Sequence, residues 1–237
     1  MAPVWSSTWS FNVSEWVDSF DMANLRDILL LAGIYYGAKS TFGLLSGLFN
    51  GFHTYVLPRL WPRDWTKEYG TWAVVTGCTK GIGLSYAQQL AEKGFNLVLI
   101  ARKEDLLNQI SADLKSKYKI ETQIVKADFG AGKAIYADIE AALKDKDIGV
   151  LINNVGVAEP FGYMANSDPD FLWQIVNVNI GSCVQMTKMV LPQMEKRKKG
   201  AIVNIASVAG LADCAPFMTT YGATKAFVGS FTRGKTL

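Results

Sequence analysis

Two residues near the end of the chain have the types and spacing for proton transfer to a carbonyl. Tyr221 and Lys225 stand four apart in Tyr221-Gly-Ala-Thr-Lys225, so a helix there places both on one face. An ammonium beside a phenol favours the phenolate, which brings the Tyr221 proton toward the working range. Ser207, upstream, can hydrogen-bond the same substrate oxygen. A Tyr and a Lys four apart also occur on ordinary helix faces. The pair gains weight from a second set of residues, suited to a dinucleotide. Thr76-Gly77-Cys78-Thr79-Lys80-Gly81-Ile82-Gly83 is a glycine-rich turn between an apolar run and a helical pattern. Glycines let the backbone turn tightly and approach a pyrophosphate, which the next helix N-terminus favours. Gly77, Thr79, Lys80, Gly81, Ile82 and Gly83 are therefore candidate cofactor contacts. The second apolar run ends at Arg102. An acid at that place favours NAD, whereas a base pairs with the 2′-phosphate of NADP; Lys80 can reach the same phosphate. NADP(H) is thus the expected cofactor. Asp128 can bond an adenine amino group or cap a helix. Asn154, in Asn153-Asn154-Val155-Gly156, stands where open α/β sheets bind ligands.

The elements that must position these residues alternate. Thr71–Val75, Asn96–Ala101, Thr122–Ala127, Gly149–Asn153 and Ala201–Ile205 are short apolar runs that read as strands. Helical patterns cover Ser85–Lys93, Glu104–Lys117, Lys133–Lys144, Asp170–Arg197 and Tyr221–Thr232, and Gly181 and Pro192 mark places where the long one can break or kink. Unbroken apolar strands alternating with helices predict a parallel sheet covered on both faces. The expected fold class is a doubly wound α/β Rossmann domain with strand order 3-2-1-4-5.

Composition narrows the alternatives. The chain has 237 residues, 49% hydrophobic and 19% charged, with a net charge of +3. That accommodates one sizeable domain plus an appendage. One histidine and three cysteines exclude HExxH sites, CxxC pairs and multi-His metal centres. No basic stripe interleaved with aromatics supports a nucleic-acid role. Cys78 and Cys214 lie near the cofactor region, and both are expected to be buried, inert thiols.

The first part of the chain is different material. Residues 1–24 carry Glu15, Asp18 and Asp21 and no Lys or Arg, unlike a transit peptide or a secretory signal. From Leu25 to Leu60 the chain is strongly apolar, interrupted by Lys39. This suits one tilted span or an embedded amphipathic segment; the alternative is a soluble helical hairpin. Arg59, Arg63 and Lys67 follow it, so the positive-inside rule puts the remainder in the cytosol. The endoplasmic reticulum membrane is expected, with the mitochondrion as alternative. Asn12-Val13-Ser14 is a glycosylation sequon on the lumenal side. Gly43, Gly47 and Gly51 would line one helix face, a pattern that more often only loosens a helix. Residues 61–69 read as a linker and 70–237 as the nucleotide-binding domain.

From about Trp72 onward the sequence resembles the short-chain dehydrogenases/reductases, on TGCTKGIG, NNVG, Asn179, Ser207 and YGATK. The resemblance implies a tetrad of Asn179, Ser207, Tyr221 and Lys225, with Asn179 holding a water that relays protons to Tyr221 through Lys225. It implies that Tyr221 and Lys225 also contact the nicotinamide ribose. More narrowly, YGTWAVVTGCTKGIG, KDKDIGVLINNVGV, NVNIGS and MTKMVLPQM are similar to the membrane-anchored branch of 17β-hydroxysteroid dehydrogenases and very-long-chain 3-ketoacyl-CoA reductases, including hydroxysteroid dehydrogenase-like proteins. Some of the latter have lost the tyrosine; this chain keeps Tyr221. The resemblance implies a lipophilic small-molecule substrate, contact with membrane lipid, and a homodimer. Members of the family continue well past YxxxK, with two more strands and a substrate loop. The chain is therefore expected to be a truncated form whose outer strand is left as an apolar edge. The rival expectation is a non-catalytic binding or interaction protein.

Overall fold

The computed structural model describes residues 22–61, 63–211 and 216–234. The sequon at Asn12 and Cys214 lie outside the described residues. The chain divides into two compact units, Met1–Arg63 and Asp64–Leu237.

In the first unit, the predicted apolar segment is one helix, not a hairpin. It runs over Met22–Gly51 (α1), passes through a π-helical turn at Phe52–Val56 and ends in a turn at Leu57–Leu60 (α2). Leu25–Val56 is long and apolar enough to cross a membrane, and none of it is buried. Lys39 does not break it. Lysine is itself a good helix former and keeps its own N–H and C=O in the ladder.

The second unit begins where a linker was expected. Within it, Trp65–Tyr69 forms a single helical turn (α3). Asp64 nucleates it: its Oδ1 accepts from Lys67 N–H at 3.3 Å and from Thr66 Oγ1 at 2.7 Å. The Thr66 hydroxyl, the Lys67 ammonium at 3.0 Å and the Lys67 amide together hold the Asp64 carboxyl at about 2, well below the usual carboxylate range.

Five strands follow: Trp72–Thr76 (β1), Asn96–Ala101 (β2), Thr122–Lys126 (β3), Ile148–Asn153 (β4) and Ala201–Asn204 (β5). All pair in parallel, in the order β3-β2-β1-β4-β5. The helices between them are Gly81–Glu92 (α4), Glu104–Tyr118 (α5), Ile135–Leu143 (α6), Pro169–Val176 (α7), Ser182–Arg197 (α8) and Thr219–Arg233 (α9). Strand alternation divides the core into two layers. Ala73, Val75, Leu97 and Leu99 face α4 and α5, packing on Ala87, Leu90, Leu107 and Leu114. Val74, Val98 and Ile100 face the other way, onto Ile139, Met186, Val190 and Met194. The expected doubly wound Rossmann sheet is the observed one.

The long helix differs from expectation. It does not break at Gly181. A π-helical turn at Asn177–Gly181 joins α7 to α8 with helical backbone on both sides. Such a turn absorbs one extra residue without ending the helix. It brings Asn179 inward, to 2% exposure. Pro192 lies inside α8 and has no N–H, so the carbonyl of exposed Lys188, four residues earlier, loses its donor at the surface, where water replaces it cheaply.

Arg197 closes the base of the domain. Its guanidinium donates to Asp147, to Ile148 O at 2.6 Å and to Tyr69 O at 3.3 Å. It thereby ties the end of α8 to the entries of β1 and β4. Replacing it with methionine, Arg197→Met, leaves three acceptors short of a charged donor and is expected to cost about 2–3 kcal/mol in urea unfolding of the full chain.

Candidate active site

The site opens at the carboxyl ends of β1 and β4, where the strand order reverses and the connections leave in opposite directions. Thr76, the last residue of β1, is fully buried. Its Oγ1 donates to Ile152 O at 3.2 Å and accepts from the N–H groups of Asn154 and Val155 at 3.0 and 3.1 Å. Asn154 answers with its side chain, donating from Nδ2 to Thr76 O and Gly77 O, both at 3.0 Å. These bonds hold the glycine turn against the end of β4. Gly77 sits at φ +65°. A Cβ at Gly83 would lie 2.4 Å from both Asn154 Nδ2 and Gly77 O, so the turn closes only without one. A Cβ at Gly81, at φ +55°, would meet nothing within 4 Å. The inner glycine packs, and the outer one leaves the backbone open to the cleft.

That cleft has a volume of about 590 Å³. Gly77, Thr79, Lys80, Gly81, Ile82, Arg102, Asp128 and Asn154 line it, with Gly156, Val157 and Val178 at the inner end. Gly83 is buried behind it. Lys80 and Arg102 are both exposed, and no ion pair among the described residues occupies either. Asp128 also lines the cleft, but its Oδ1 accepts from Gly130 N–H at 3.0 Å and caps a short 3-10 turn at Phe129–Ala131. Of its two expected roles, the cap is the one its hydrogen bonds display. The turn, the open N-terminus of the 12-residue α4 and the unpaired cations suit a dinucleotide phosphate.

The second group of residues gathers behind Gly156. A Cβ on Gly156 would stand 3.4 Å from Lys225 Nζ and 3.5 Å from Asn179 Oδ1. Lys225 is 6% exposed. Its Nζ donates to Ile205 O at 2.8 Å and lies 5.8 Å from the Tyr221 ring centre. Burial pushes its pKa below the ordinary lysine value, partly offset by the nearby Cys183. Tyr221 is half-buried on the first turn of α9. Ser207 Oγ accepts from Ala209 N–H at 3.2 Å, capping a 3-10 turn at Val208–Gly210. A Cβ on Gly210 would fall 2.5 Å from the backbone of Lys225 and Ala226, so the Ser207 turn is pressed directly onto α9.

Asn179 acts through contacts that the resemblance did not imply. Its Oδ1 accepts from Val157 N–H and its Nδ2 donates to Val157 O, both at 2.9 Å. Nδ2 also donates to Thr224 Oγ1 at 2.9 Å, which donates on to Tyr221 O at 2.8 Å. Both amide hydrogens are thus committed to protein, and Asn179 fastens α9 to the loop after β4. Sequence reasoning missed Thr76, Gly156, Glu159 and Thr224. Thr76 and Gly156 lie inside the motifs that were read, but no role was assigned to either. Glu159 carried only a weak signal, one acid in an apolar stretch just before Pro160.

Residues 71–236 match the family described as short chain dehydrogenase. The chain belongs to that family. Its relatives include the inactive hydroxysteroid dehydrogenase-like protein 1 of Homo sapiens, 43% identical over 87% of this chain and 63% of the relative. The very-long-chain 3-oxoacyl-CoA reductase-B of Danio rerio is 48% identical over 71% of this chain and 54% of the relative. A solved short-chain dehydrogenase from Sphingobium yanoikuyae, in complex with NADPH, superposes with a TM-score of 0.64 at 34% identity, covering 68% of this chain and 62% of that one. The chain spans less than two thirds of the length of each of these three proteins.

Cys78, inside the glycine turn, is fully buried. Burial pushes its thiol from 9.0 up to about 12. The unfolded thiol ionises from 9.0, the folded one only near 12, so in that window the unfolded chain holds fewer protons and stability falls as pH rises. Lys225 contributes with the opposite sign just below its ordinary pKa, because its folded value is lowered. The comparison with Cys78→Ala isolates the thiol: parental stability should fall about 1.4 kcal/mol more steeply per pH unit than the variant's. Urea unfolding between pH 9 and 11 reads the difference.

Proposed function

We propose that this chain is an NADPH-dependent carbonyl reductase acting on a lipophilic substrate, a 3-ketoacyl-CoA or a 17-ketosteroid. One observation carries the reading: a buried lysine lies behind Gly156, at the inner end of a cleft whose outer end is cationic, with a half-buried tyrosine one helix turn before it. NADPH, when bound, supplies the hydride to the carbonyl carbon. Gly77, Thr79, Gly81, Ile82 and Gly83 would seat its pyrophosphate, with Arg102 and Lys80 at the 2′-phosphate and Asp128 and Asn154 along the wall. Tyr221 gives its phenolic proton to the carbonyl oxygen, and Ser207 Oγ orients that oxygen. Lys225 favours the phenolate that remains. Asn179 sets the helix that carries both.

The apolar residues of α1 support a membrane anchor. Ile28, Leu29, Leu30 and Leu31 are consecutive and all exposed, so the helix is apolar around its whole circumference, as a span is and an interfacial helix is not. The 32 residues of Leu25–Val56 extend about 48 Å at 1.5 Å per residue, enough for a bilayer core with tilt. The charge asymmetry favours a cytosolic second unit, and the membrane proposed is that of the endoplasmic reticulum. Between the two substrate classes, the similarity to a protein named very-long-chain 3-oxoacyl-CoA reductase favours the acyl thioester. The human relative named inactive supports the second reading, a cofactor-binding protein without turnover.

Tyr221→Phe separates the two. It should lower NADPH oxidation with a 3-ketoacyl-CoA by about 100-fold or more, with NADPH affinity kept within about twofold; equal rates in parent and variant would refute proton transfer by Tyr221. Arg102→Glu tests the cofactor. It should shift preference from NADPH toward NADH by about tenfold or more, the worth of one charge-assisted bond, measured by titration of each nucleotide.

A further inference from the structure

Helix α9 has no cap of its own. Met218 occupies the capping position and supplies no side-chain hydrogen bond. The first amides of a helix have no acceptor within it, and here the acceptor comes from far along the chain. Glu159, on the loop after β4 and 7% exposed, accepts on Oε1 from Thr220 N–H at 2.8 Å and Tyr221 N–H at 3.2 Å. No ion pair among the described residues involves Glu159. A carboxylate is rarely buried without a cation. The positive end of α9 takes that place.

We propose that Glu159 is a positioning residue for Tyr221. One loop grips α9 at two points. Val157, through Asn179, reaches Thr224, and Glu159 reaches the amide of Tyr221 itself. The first point alone leaves the opening turn free to fray, as uncapped helix ends do. The second fixes the backbone from which the phenol projects. A cap elsewhere would add only stability; this one adds placement of the proton donor, where a shift near 1 Å costs about 100-fold in rate. The inference rests on the reading of Tyr221 as proton donor.

The test uses the full chain with Glu159→Gln, which keeps the acceptor oxygen, and Glu159→Ala, which removes it. Two readouts are taken: hydrogen exchange at the Thr220 and Tyr221 amides, and single-turnover NADPH oxidation with a 3-ketoacyl-CoA, counted per NADPH-binding site so that misfolded chains do not enter. Glu159→Ala should speed exchange at those amides by about tenfold or more and lower the rate by about 10- to 100-fold, with NADPH affinity within about twofold. Glu159→Gln should return both to within about threefold of the parent, because the amide oxygen still accepts. Parental exchange in Glu159→Ala overturns the proposal, as does loosened exchange with an unchanged rate, or a Gln variant as impaired as the Ala one. If Glu159→Ala does not accumulate, Glu159→Met, of similar length and without an acceptor, replaces it. A parent with no turnover refutes the reductase reading, and the exchange measurement then decides the positioning alone.

Discussion

Where β1 and β4 run side by side, their carboxyl ends must part, and the bonds among Thr76, Gly77 and Asn154 hold them at the point of parting. One hydroxyl takes two amides of the β4 exit, and one carboxamide takes two carbonyls of the β1 exit. Both strand ends are buried or half-buried, so these polar groups have no water to fall back on. Everything that resembles a site hangs from this stitch. On one side it sets the glycine turn and the start of α4. On the other it launches the loop that carries Gly156, Val157 and Glu159 to α9.

The electrostatics of the two ends of the cleft differ accordingly. Lys80 and Arg102 are exposed and free to meet a phosphate, whose charge water would otherwise satisfy. Lys225 is enclosed, and beyond its bond to Ile205 O burial leaves the ammonium partly unsolvated. A cation in that state is a strong electrostatic neighbour for anything that acquires negative charge beside it. The fold thus places weakly interacting cations where the proposed binding would occur and a strongly interacting one where chemistry would occur.

The sheet was legible because its strands are continuous apolar runs. Their order followed from handedness and short connections, and the glycine turn and Tyr221–Lys225 spacing are local patterns. What stayed hidden is non-local or marginal. Nothing near Glu159 announces that it caps a helix that begins 60 residues later. Asn154 was read as a ligand contact because its place at a strand end suggests one; its hydrogen bonds go first to the turn. Asn177–Gly181 has an ordinary helical pattern, and only packing of Asn179 against Val157 shows why a wider turn forms there. Residues 61–69 read as a linker because the stretch is charged and contains Pro and Trp; the helical turn at Trp65–Tyr69 rests on one aspartate, too short a signal to stand out.

The stitch also has a consequence for synthesis. Asn154 and Thr76 are 78 residues apart, and a ribosome adds about 5–20 residues per second. For roughly 4–16 s after Thr76 emerges, the glycine turn lacks the partner that closes it. The apolar residues of β1 and β2 then wait with one neighbour missing at the centre of the sheet. A nascent chain of this kind has a defined interval of vulnerability, and it ends when the fourth strand leaves the exit tunnel.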